Sequence, residues 1–203
     1  HSARNAFQCG LGMVHQHFQL VHNFTVAENI ILGKEGGFVY DIKSASKKIK
    51  EISKRYGLEI EPDMVIEDIT VGMQQRVEIL KMLYRDADIL IFDEPTAVLT
   101  PQEIDELMTI MKNLAAEGKS IILITHKLDE IKRVAKRCTI IRRGKFIGVV
   151  DVATTSVNEM AAMMVGRPVS FKVDKAPKTP GEAVLEVENL NVLNNKGVLG
   201  VKD

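Results

Sequence analysis

The chain has 203 residues, 45% of them apolar, enough for one packed domain and a further segment. Lys plus Arg and Asp plus Glu each number 27, so the formal charge is zero and no surface for nucleic acid is expected. Two cysteines, Cys9 and Cys138, are too few for a disulfide framework, which favours a reducing compartment, and the apolar runs Ile89–Phe92 and Ile121–Ile124 fall far short of the ~20 residues that span a bilayer.

In chain order, residues 11–14 read as a short strand. Thr25-Val26-Ala27-Glu28 has the form of a capping box and predicts a short helix through Leu32. Ile42, Ala45, Ile49, Ile52 and Tyr56 recur at helical spacing among lysines, and residues 72–84 are helical as well. Asp88 to Asp93 holds four consecutive apolar residues ending in acid, the pattern of a strand buried on both faces. Thr100-Pro101-Gln102-Glu103 opens a helix that runs to about Glu117, and Gly118 ends it. Ser120–Thr125 reads as a second buried strand, followed by a helix from about Lys127 to Ala135. Residues 138–142 and 145–150 flank Arg143-Gly144 as a hairpin, and Ser156–Val165 is a capped helix. Residues 167–182 hold three of the six prolines and several lysines, which reads as a linker. Residues 183–193 alternate like a strand, Asn194 to Gly197 form a turn, and Val198–Val201 begins another strand. His1 to Asn5 precede no apolar core of a signal peptide. The protein is expected to be soluble, or peripheral to a membrane through a partner.

Alternating buried strands and helices place the chain in the α/β class with a parallel sheet. Chemistry-bearing residues then fall at the carboxyl ends of strands, where such sheets bind ligands. Asp93 and Glu94 follow Phe92; Asp93 suits a hydrated Mg²⁺ and Glu94 suits activation of water. The other reading is a solvated strand end. Thr125-His126 ends the next strand and brings an imidazole to the same edge, able to reach a γ-phosphate. Ile69-Thr70-Val71-Gly72-Met73-Gln74-Gln75-Arg76 opens a helix whose amides can face phosphate, although most such sequences only cap a helix. Gln16, after the first strand, can complete a metal shell through its carbonyl. His15, His17 and His22 have no Cys or acidic residue spaced to make a metal site with them.

Together and in this order, these residues resemble the ATPase domain of ABC transporters. Gln16 matches the Q-loop, residues 69–76 the signature motif, residues 89–94 Walker B with the catalytic glutamate, and His126 the switch histidine. The stretches 12–18, 25–30, 94–101 and 164–167 resemble more closely the tandem ATPase subunits of bacterial simple-sugar and nucleoside importers. The resemblance implies a P-loop NTPase-like α/β domain over residues 1–166. It contains a helical signature subdomain at about 25–84, with linker 167–182 after it. The β extension at 183–203 would begin a second ABC domain of the same polypeptide. It also implies Glu94 and His126 as catalytic groups and Asp93 and Gln16 as Mg²⁺ ligands. Thr70, Val71, Gly72, Met73 and Gln74 would face ATP held by the second domain. Partners would be membrane permease subunits, docked at about 17–30 with Phe18, Leu20, Val21 and Phe24 as contacts. The place would be the cytoplasmic face of the bacterial inner membrane.

The pattern departs from the family at three points. No G-x-x-x-x-G-K-[ST] occurs; Gly118-Lys119-Ser120 has Asn113 at the upstream position and runs from helix into strand, whereas a P-loop runs from strand into helix. The domain is therefore expected to be incomplete, beginning after its Walker A loop, and inactive alone. The signature has Val71 and Met73 where the family has Gly and Gln, and Thr100 stands at the D-loop aspartate position. Two other readings are a soluble ABC ATPase of ribosomes or DNA repair, and a catalytically silent assembly module.

Overall fold

The structure is a computed structural model and describes residues 3–33, 41–168, 176, 179, 181–194 and 197–201. The chain divides into two compact units, residues 1–169 and 170–203. Most of the predicted linker 167–182 lies outside the described residues.

In the larger unit, three strands form a parallel sheet in the order β1 (Leu11–Val14), β2 (Ile89–Asp93), β3 (Ser120–Ile124). Val14 pairs with Phe92, and Asp93 pairs with Ile124, so the carboxyl ends of β2 and β3 lie level. Alternation then puts Gly12, Val14, Leu90, Phe92, Ile121 and Leu123 on one face. That face is covered: Val14, Leu90 and Phe92 are fully buried. The covering helices are α4 (Val71–Tyr84) and α5 (Pro101–Ala116), which supply Val77, Ile79, Leu80, Leu107, Met108, Met111 and Leu114.

The other face differs from the expectation of strands buried on both sides. Ile89 and Ile91 are half-buried, while Ile122 and Ile124 are 49% and 47% exposed. Among the described residues, no helix covers this face, and apolar strands show one packed and one open side.

α2 (Val26–Ile31) and α3 (Ile42–Tyr56) pack on α4 and on each other, and one apolar cluster runs from α2 and α3 through α4 to the sheet. Thr25 caps α2 through the anticipated capping box with Glu28. Thr100 and Ser156 do the same for α5 and for α7 (Val157–Val165). These boxes form because a short hydroxyl and a carboxylate three residues on satisfy two backbone N–H groups that the first turn leaves unpaired.

α6 (Leu128–Val134) leads into the hairpin β4 (Arg137–Arg142) and β5 (Lys145–Asp151), where Arg143 and Gly144 both take left-handed φ values of 51° and 74°. A two-residue hairpin with both residues left-handed follows the natural twist of the strands. Ile131, Val152 and Met160 form a small second core beneath it.

The smaller unit holds β6 (Val192–Leu193) and β7 (Leu199–Val201), paired antiparallel. The predicted strand at 183–193 is paired only at its end. Val184 and Leu185 are exposed, so the alternation there reflects no buried face. A short helix α1 (Ala3–Gln8) was not anticipated, and neither an acidic first turn nor a basic last turn marks it.

Phe92→Ala deletes a fully buried ring between the sheet and its helices. A loss of about 3–5 kcal/mol in urea unfolding is expected.

Candidate functional site

The backbone carries the site. Beyond Asp93 the β2–β3 ladder continues for one more bond, from Glu94 N–H to the Ile124 carbonyl at 2.9 Å. Glu94 then turns left-handed, with φ of 46°, which is costly for a residue with a Cβ. This geometry swings the Glu94 carboxylate to the next strand end. There His126 Nδ1 lies 2.8 Å from Glu94 Oε1. The imidazole is 72% exposed, whereas the Glu94 side chain is only 20% exposed. The second oxygen, Oε2, is buried with no hydrogen-bond partner. A strained backbone and an orphaned buried carboxylate oxygen together mark a group held for a purpose other than stability.

Asp93 is the last residue of β2 and sits beside this pair, half-buried. Gln16 is exposed two residues past Val14, whose register partner is Phe92, so it stands at the same edge of the sheet. Among the described residues, no three His, Cys, Asp or Glu side chains gather as a metal cage. His15, His17 and His22 are exposed and form no cluster. Gly118-Lys119-Ser120 bridges α5 and β3, in the helix-to-strand sense anticipated, and its lysine pairs with Asp88 at 2.8 Å.

The signature-like residues form a separate group on the first turn of α4. Thr70 is the N-cap, its hydroxyl accepting the Met73 N–H at 3.3 Å. Gln74 donates to the carbonyls of Ile66 and Ile69 and secures the turn before the helix. Thr70 and Val71 are exposed, and Met73 packs against the core. Gly72 is buried. A Cβ there would collide with the Glu103 carboxylate, so its lack of a side chain serves the approach of α5 to α4. One turn on, buried Gln75 donates to the Pro95 carbonyl at 2.6 Å and ties α4 to the turn after Glu94.

The segment after Gln16 is also anchored by buried polar groups. The Gln19 N–H donates to Glu78 Oε1 at 2.7 Å, and Lys81 donates to the Gln19 carbonyl at 2.8 Å. Burial pushes the Lys81 ammonium below its ordinary range, with the Glu78 carboxylate opposing. Asn29 accepts from the Val21 N–H and donates to the Val21 and Thr25 carbonyls. The buried hydrogen-bonding roles of Gln75, Glu78, Asn29, Thr96 and Glu130 were not read from the sequence. A carboxylate inside the apolar run Val77-Glu78-Ile79-Leu80 was the one visible signal.

The chain is similar to known proteins. The profile of the family described as ABC transporter matches residues 2–97. The nucleoside import ATP-binding protein NupA of Lactococcus lactis is 62% identical over 203 residues, 99% of this chain and 40% of that protein. The guanosine import ATP-binding protein NupO of Bacillus subtilis is 58% identical over 205 residues, 100% of this chain and 40% of that protein. The chain thus spans 40% of the length of these two relatives. A solved ATP-binding cassette of an ABC transporter in its ADP conformation superimposes with a TM-score of 0.66 at 18% identity, covering 80% of this chain and 67% of that one. At that identity the likeness speaks for the fold alone.

Gly72→Ala must displace the Glu103 carboxylate from its capping box with Thr100, at a cost of about 1 kcal/mol. Glu103→Ala should absorb most of that loss in a double-mutant cycle read by thermal unfolding.

Proposed function

The chain carries a domain of the ABC transporter family, and on that premise we propose that it powers solute import by ATP hydrolysis, with a nucleoside as the solute and a sugar as the alternative. The observation that carries the reading is the Glu94–His126 contact at the carboxyl edge of a parallel sheet, with Glu94 Oε2 buried and unpartnered. The names of NupA and NupO support the choice of solute.

In this reading Glu94 takes the proton of the attacking water. His126 orients the water and the γ-phosphate, and its exposure keeps it open to a nucleotide. Asp93 and Gln16 would hold Mg²⁺. A hard cation that keeps several waters and phosphate oxygens needs only one or two protein oxygens, so this pair fits it. Bound there, it would neutralise charge on the phosphates.

Thr70, Val71, Gly72, Met73 and Gln74 face the nucleotide of a second ABC domain of the same polypeptide. The exposed Thr70 and Val71 make the contact and the buried Gly72 sets their approach. Segment 17–30, held by Glu78 and Asn29, meets membrane permease subunits. Among the described residues no helix is long and apolar enough to cross a membrane. In this reading the protein sits at the cytoplasmic face of the bacterial cell membrane, attached through those subunits. Nucleic acid is no partner in this reading.

In the assembled transporter, Glu94→Gln should lower ATP turnover by about 10²-fold or more and abolish uptake of labelled guanosine. Uptake that survives this change, or co-sedimentation with ribosomes in place of co-purification with membrane subunits, would sink the proposal. The 203 residues by themselves contain no Walker A lysine or amide cradle. They should release no measurable phosphate from ATP.

A further inference from the structure

We propose that Glu130 is a positioning residue that latches the loop carrying Glu94 to the loop carrying His126, an inference that rests on the ATPase reading above. Glu130 lies on the first turn of α6 and is 4% exposed. A carboxylate buried in this way is costly unless every oxygen is engaged. Here both are. The Thr96 hydroxyl donates to Oε1 at 2.5 Å, and the Thr125 hydroxyl donates to Oε2 at 3.1 Å.

The two hydroxyls come from different strand ends. Thr96 stands two residues after Glu94, and Thr125 immediately precedes His126. Lys127, on the other side of His126, closes the network. Its N–H donates to Thr125 Oγ1 at 3.0 Å, its ammonium donates to Thr96 Oγ1 at 2.9 Å and to the Thr96 carbonyl at 3.2 Å, and the same ammonium lies 3.5 Å from Glu130 Oε1. The backbone on both sides of the imidazole and just beyond the carboxylate is thus fixed to one buried group. An apolar residue at 130 would serve the packing of α6 equally well. What it could not do is bind two hydroxyls from two loops at once. Groups of this kind, one bond removed from reacting residues, govern orientation and typically change activity about 10- to 100-fold when removed.

Two readouts test the latch. In the ATP-hydrolysing assembly, Glu130→Gln should lower kcat about 10- to 100-fold with KM for ATP within about twofold. Thr96→Val should reproduce the loss, and Thr96→Ser, which keeps the hydroxyl, should restore the rate. In the 203-residue chain, nitrogen NMR of the His126 ring in mildly alkaline buffer should show the proton on Nδ1, donated to Glu94. Glu130→Gln should shift it toward Nε2, as Glu94→Ala does. A kcat within about twofold of the unaltered protein, whatever the melting temperature, overturns the proposal. So does an unchanged ring signature in Glu130→Gln. If the unaltered assembly hydrolyses no ATP, the functional reading falls, and the ring signature still decides the latch.

Discussion

The candidate site depends on two parallel strands ending at the same level. Because Asp93 pairs with Ile124, the residues that follow, Glu94 and the Thr125-His126 pair, leave the sheet together and meet. A shift of the pairing by one residue would turn Leu90 and Phe92 out of the core, so burial of those side chains fixes the register and the register fixes the chemistry. Sheet stability and the positions of Glu94 and His126 are one constraint here.

α4 connects the remaining parts. Val77, Ile79 and Leu80 hold it in the core. Its polar residues face three ways: Gln75 to the turn after Glu94, Glu78 and Lys81 to the segment after Gln16, and Thr70 to its own first turn. One rigid helix thus touches the loop that follows Glu94, the segment proposed to meet membrane subunits and the surface proposed to face a second nucleotide. A rigid element that contacts several regions through buried bonds moves them as a unit.

The sequence reading succeeded where the determinants are local. The capping boxes at Thr25, Thr100 and Ser156 involve residues three apart, and the Arg143-Gly144 turn needs only its own two backbone conformations. Order along the chain was also sufficient to place Asp93, Glu94 and His126 at one sheet edge. What failed depends on neighbours far along the chain. Ile122 and Ile124 look identical to core residues until the helices are seen to cover only the opposite face. The contact of Gly72 with Glu103 of α5, thirty-one residues on, likewise has no local signal. Thr96 and Glu130 stand far apart in sequence, and nothing in either neighbourhood signals that they meet.

The left-handed backbone at Glu94 sets stability against the proposed chemistry at a single position. Asn or Gly adopts that conformation with less strain than Glu, a difference within the ~1–3 kcal/mol such residues store. Selection for robustness alone would therefore drift away from glutamate. A variant library sorted for thermal tolerance should enrich those replacements, and every clone it favours at this position would lose the carboxylate that faces His126.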